Sequence, residues 1–153
     1  MKSIHRLCLA IILCLAFAVP GFAAESTTPT YYNPGRQAFV VKIAWVAAAG
    51  ATHADYAIPS AAMDVILAGG YYLFKARTVP SGVAVPAANY DLTLDTANGF
   101  DVLDGNLANR SDTATEIAVP SVYAEPIVDQ LTVTFANLGA NGAGDLYLYF
   151  ARY

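Results

Sequence analysis

From Gln37 the chain alternates, with Phe39, Val41, Ile43 and Trp45 on one side and Val40, Lys42, Ala44 and Val46 on the other. Period-two alternation of β-branched and aromatic residues predicts a strand with one dry face. The same rhythm returns three times. Tyr90, Leu92 and Leu94 alternate with Asp91, Thr93 and Asp95; Leu131, Val133 and Phe135 alternate with Thr132 and Thr134; and Leu146, Leu148 and Phe150 alternate with Tyr147, Tyr149 and Ala151. Residues 62–67 and 71–79 read as two apolar strands joined by Ala68-Gly69-Gly70, a short glycine connection of the hairpin kind. In the second of these, Tyr72, Phe74 and Ala76 are expected on one face, and Tyr71, Leu73, Lys75 and Arg77 on the other, which the basic pair marks as wet. A further strand is expected over 114–119, ended by Pro120.

Between these runs lie turn signals. Pro80-Ser81-Gly82 and Pro86 punctuate one loop. Thr96-Ala97-Asn98-Gly99 is expected to fold the chain back into a strand over 100–103, and Asp104-Gly105 turns again. The glycine loop 137–144 is expected to make a hairpin of the last two strands. The Ala-rich stretch 47–54 is broken by Gly50 and Thr52 and reads as a loop, so no helix is expected. About eight short strands with Gly and Pro turns predict an all-β fold, an antiparallel β-sandwich of two sheets around one core. A small β-barrel is the alternative.

The amino end changes the picture. Met1-Lys2-Ser3-Ile4-His5-Arg6 precedes an apolar run ending at Val19, then Pro20-Gly21-Phe22-Ala23. A basic head, an apolar middle and a small-residue exit predict a signal peptide over residues 1–23 and a protein exported to the periplasm or the extracellular space. The apolar run is about 13 residues, too short to cross a bilayer as a helix, and no integral membrane span is expected once it is removed. Residues 24–36 hold two prolines and no hydrophobic period, and are expected as an extended N-terminal arm; residues 37–153 form the single domain. At 56% hydrophobic and 13% charged residues, the chain has enough apolar surface to build a core and is not a disordered one.

Charge and cysteine usage then remove function classes. Cys8 and Cys14 both fall in the leader, so the exported chain has no thiol for disulfides, thiolate catalysis or zinc. A lipid anchor on Cys14 is not expected, because Leu13 stands where lipoprotein signals carry a small residue. Losing Lys2 and Arg6 leaves six basic against twelve acidic residues, a net charge of −6. Arg36, Lys42, Lys75, Arg77, Arg110 and Arg152 are scattered along the chain, so nucleic acid is not an expected partner.

Candidate chemistry is sparse. Asp91, Asp95, Asp101, Asp104 and Asp112 fall within 22 residues and could supply hard oxygens to calcium. They lack the Asp-x-Asp-x-Asn-Gly rhythm of a calcium loop, and Asp and Asn before Gly are what tight turns require, so the turn reading is preferred. Asp91, Asp95 and Asp101 are available for a glycosidase pair, but alternation makes Asp91 and Asp95 ordinary solvent-facing strand positions, so the reading is weak. His53, the sole histidine after the leader, lies beside Asp55, but no Gly-x-Ser-x-Gly elbow accompanies it and no second histidine could share a metal. Asn109-Arg110-Ser111 is a glycosylation sequon, meaningful only in a eukaryotic secretory route. No catalytic residue, metal site or cofactor is assigned, and the protein is expected not to be an enzyme.

All ten tyrosines lie beyond the leader. If Leu146, Leu148 and Phe150 face the core, Tyr147 and Tyr149 point outward, with Tyr153 beyond them; Tyr31 and Tyr32 lie on the arm. Outward rings bury against a protein or stack on sugars, since tyrosine offers a large area at low entropy cost and keeps its hydroxyl wet. Tyr147, Tyr149, Tyr153, Tyr31 and Tyr32 are therefore the candidate contact surface. Self-association or contact with another protein is expected, the arm adding a strand to a neighbour's edge, and a glycan is the alternative ligand. Cross-strand tyrosine pairing that stiffens the sheet is the competing reading.

Val79-Pro80, then Pro86-Ala87-Ala88-Asn89-Tyr90-Asp91-Leu92-Thr93-Leu94-Asp95, then Asn98-Gly99-Phe100-Asp101-Val102-Leu103-Asp104-Gly105-Asn106-Leu107-Ala108-Asn109-Arg110, and a late Tyr149-Phe150-Ala151-Arg152, form a connected pattern. In these stretches the chain resembles a group of small all-β proteins encoded in tailed-phage and prophage genomes. The resemblance covers the last half to two thirds of the exported chain. It implies a virion-associated or otherwise structural role and carries no catalytic residues to transfer. The leader departs from it, since capsid and tail components assemble in the cytoplasm. Either an exported relative adapted to a surface function is then expected, or a family that is not exclusively virion-bound.

Overall fold

A computed structural model of the chain describes residues 25–35, 37–121 and 124–152. The expected signal peptide and Tyr153 lie outside the described residues. Among the described residues, nine strands and one helix follow in order: β1 (Ser26–Gly35), β2 (Ala38–Val46), β3 (Tyr56–Ala57), α1 (Ser60–Gly69), β4 (Tyr72–Pro80), β5 (Asp91–Thr96), β6 (Glu116–Ala118), β7 (Glu125–Pro126), β8 (Leu131–Ala136) and β9 (Ala143–Ala151). They make two antiparallel sheets packed as a β-sandwich. Sheet A runs β1-β2-β9-β4-β6, with β7 pairing a further stretch of β4, and sheet B runs β3-β8-β5.

Alternation places the core where the pattern predicts. Phe39, Val41, Ile43 and Trp45 of β2 and Leu146, Leu148 and Phe150 of β9 turn inward and meet Leu92, Leu94, Leu131, Val133 and Phe135 of sheet B in one buried cluster. Burying each such side chain contributes roughly 1.5–3 kcal/mol, which is why the two sheets hold each other by these faces. Trp45 sits at its centre, its ring 5.6 Å from that of Tyr90 and 5.9 Å from that of Phe135.

Several expectations are corrected. Residues 62–67 are not a strand: Ser60–Gly69 is an α-helix that buries Ala62, Met63 and Ile66, with Ile66 four residues after Ala62 and three after Met63, as on one helical face. Gly70 is its left-handed cap at φ 62°, and the Tyr71 amide returns to the Ile66 carbonyl at 3.0 Å, so the double glycine ends a helix and does not turn a hairpin. In β4, Leu73 pairs with Phe150 and Lys75 with Tyr149, leaving Phe74 as the extra residue of a bulge. The bulge turns both Leu73 and Ala76 inward and leaves Phe74 exposed, where strict alternation had put Leu73 with the basic pair.

Residues 100–103 form turns and a single bridge from Asp101 to Asp95, with no second strand. Nor are β8 and β9 a hairpin: they belong to different sheets, and the 137–142 loop carries the chain from one to the other. Residues 24–36, expected as an arm, hold β1, which pairs along most of its length with β2 and forms the edge of sheet A.

Candidate interaction surface

Sheet A has an inner face in the core and an outer face whose positions are half-buried or exposed. Cross-strand register sets two rows on that outer face. Tyr32, Val40, Tyr149 and Lys75 form one, and Thr30, Lys42, Tyr147, Arg77 and Ile117 the next. These positions are brought together because β9, last in sequence, is the central strand, with β2 on one side and β4 on the other. Tyr147 and Tyr149 thus stand in the middle of the face, half-buried, their rings 6.4 Å apart and 22° from parallel.

Cations enclose them. The Arg77 guanidinium lies 4.2 Å from the Tyr147 ring centroid and Lys42 Nζ 5.6 Å from it, while Lys75 Nζ lies 4.4 Å from that of Tyr149. At these distances the positive charge is attracted to the ring quadrupole and its methylene stem covers ring area. Lys42 also pairs with Asp145 at 2.9 Å, and that hydrogen bond raises the lysine above its ordinary pKa. Among the described residues neither Lys75 nor Arg77 has a carboxylate within ion-pair distance, and Arg77 Nε is buried with no hydrogen bond. At the margin Tyr32 is 50% exposed and Ile117 61%, with Val119 close behind. Beside the rows, Ala44, Val79, Ser81 and Asp145 are among the residues that line a shallow depression of about 300 Å³.

The remaining sequence candidates fall elsewhere. Tyr31 is on the opposite side of β1 from Tyr32, stacked on Phe39 at 6.2 Å and 13°, so the two arm tyrosines do not share a surface. Asp101 closes a turn, while Asp91 and Asp95, on β5, accept hydrogen bonds from neighbouring loop and side-chain groups. Asp101 accepts from the Leu103 and Gly105 amides at 3.0 and 2.7 Å; Asp91 accepts from the Asn109 amide at 2.7 Å and from the Asn137 side chain. Asp95 accepts from the Thr93 hydroxyl at 2.9 Å. Among the described residues no three His, Asp or Glu are placed to hold a metal ion.

His53 ties the edge strand to the body of the fold: its Nδ1 donates to the Ala54 carbonyl at 2.7 Å, and Nε2 meets the Thr27 hydroxyl at 3.1 Å. Its ring packs 4.3 Å from that of Phe135. No described helix is long and apolar enough to cross a membrane.

The convergence of Lys42, Lys75 and Arg77 on the tyrosines is what sequence reasoning missed. Alternation assigned each cation to a wet face, but strands far apart in sequence gave no sign of being neighbours. No protein-family model, curated protein or solved structure matches the chain.

Proposed function

We propose that this is an exported, non-enzymatic structural or assembly protein, phage-virion-like in character, that works through protein–protein contacts made by the outer face of sheet A. One observation carries the reading: Tyr147, Tyr149 and Arg77 stand together, half-buried, in the middle of the outer face of sheet A, with exposed Tyr32 and Ile117 at its margin. Tyr and Arg at the centre of a patch, with a partly solvated rim, is the composition of binding hot spots. The glycan alternative is less well supported, because Tyr147 lies between two cations and Tyr149 beneath a third, so a sugar would have to displace them to stack.

Sedimentation velocity of residues 24–153 over a concentration series tests the reading. A mass that rises with concentration is expected, and replacing both Ile117 and Val119 by Ser is expected to weaken association at least fivefold with an unchanged thermal unfolding midpoint. A chain that stays monomeric and binds glycans, with binding lost on Tyr147→Ala or Tyr149→Ala, would instead establish the carbohydrate-binding alternative.

A further inference from the structure

The two outer faces of the sandwich differ in sign and in relief. Sheet A presents Lys42, Lys75 and Arg77 against Asp145, a surplus of two positive charges carried among large rings. Sheet B presents Asp91 and Asp95, with Asp101 bridged beside Asp95, and its three strands contain no lysine or arginine. Around those carboxylates its outward positions are short: Ala57, Thr93, Thr132, Thr134 and Ala136. The chain is acidic as a whole, so the basic face is a local reversal of its net charge of −4.

We infer that the sheet A face binds the outer face of sheet B on a second copy of this chain, so that copies add head to tail. The inference rests on the contact-surface reading above and names its partner. Like faces cannot pair well: two sheet A faces oppose cation to cation and two sheet B faces carboxylate to carboxylate, and such juxtapositions cost several kcal/mol. Unlike faces remove the conflict. Lys75 and Arg77, which have no carboxylate within ion-pair distance among the described residues, meet the aspartates of the next copy, and the tyrosine rings meet a surface of threonine and alanine.

The two faces lie on opposite sides of one sandwich, so the contact is heterologous and the same step repeats, giving open chains of copies and not a closed twofold dimer. In sheet A, β1, β2, β9 and β4 run nine or ten residues and β6 three, but sheet B offers two six-residue strands beside the two-residue β3, so its face of roughly 15 by 20 Å limits the contact to about 300 Å² per copy. That is below the size of stable specific interfaces and is the size of a weak, reversible contact.

Sedimentation velocity of the mature chain, with paired variants, tests this. Ile117→Glu places a carboxylate opposite Arg77 and disables the sheet A face alone. Asp91→Asn with Asp95→Asn, or separately Thr132→Lys, disables the sheet B face alone; the second variant guards against a folding defect in the first, and thermal melts check both. Each is expected to weaken self-association at least tenfold, and wild-type association is expected to weaken about tenfold between 50 and 500 mM NaCl, as screened charge pairs do. Mixing the Ile117→Glu and Thr132→Lys chains is expected to restore a one-to-one dimer that grows no further. If Ile117→Glu abolishes association while both sheet B variants associate as wild type, the head-to-tail inference is overturned and the contact-surface reading stands. If wild-type association survives every variant, both fall.

Discussion

Tyr90 shows how much the same residue type can differ across this protein. Tyr147 and Tyr149 share a solvent-facing surface with cations, whereas Tyr90 is buried against Trp45, its backbone carbonyl accepting from the Arg110 amide at 2.7 Å. Burial pushes the Tyr90 phenol above its ordinary value; the Thr78 hydroxyl and Arg110 pull it back, and Glu116 adds to the rise. Burial raises Tyr56 in the same way, with Tyr31 adding to it. A phenol with a higher pKa folded than unfolded stays neutral in the native state while the unfolded chain ionises. Its contribution is fully present below about pH 10 and is lost as pH rises through the folded value. The urea midpoint is therefore expected to hold steady from pH 8 to about 9.5 and to fall from pH 10 upward, and Tyr90→Phe is expected to make that fall shallower. An unchanged alkaline slope in the variant would show that Tyr90 does not govern it.

Among the elements, α1 is held at its end by one residue. Gly70 occupies the left-handed region at φ 62°, and nothing lies within 4 Å of where a Cβ would be, so replacing it costs only backbone strain. Gly70→Ala is expected to lower stability by roughly 1–2 kcal/mol in urea unfolding, and Gly70→Asn by less, because asparagine tolerates that region. The same glycine explains why the helix was illegible in the sequence. A helix cap and a hairpin turn both use left-handed glycine, and a helix of ten residues with an alanine-rich apolar face reads equally well as a strand.

Phe39 to Trp45, Leu92 with Leu94, and Leu131 to Phe135 were legible because each alternates with polar or small residues and lacks a bulge. β4 was not, since the extra Phe74 puts Tyr71 and Leu73 out of phase with Lys75 and Arg77 without leaving a mark in composition. The outward direction of Tyr147 and Tyr149 followed from alternation in β9; the cations around them depended on strand order, which no local pattern carries.

At the scale of the whole molecule, strand order makes the amino-terminal segment structural. β1 shields the outer edge of β2, whose sequence AFVVKIAWV is long, apolar and free of proline, the kind of edge that pairs with other chains when uncovered. β1 suits a guarding role: Pro29 interrupts its own outer edge, its side chains are mostly exposed, and it is fastened by Tyr31 on Phe39 and by Thr27 and Glu25 on the 53–54 loop. A chain beginning at Gln37 is thus expected to unfold at lower urea and to form dye-binding β-aggregates at concentrations where the chain from residue 24 remains soluble. Were residues 24–36 a free arm, the shortened chain would keep its unfolding midpoint and its solubility. Loss of both would also separate two kinds of association: ordered addition through the sheet A face, which weakens in salt, and edge pairing through β2, which depends on backbone hydrogen bonds and responds little to salt.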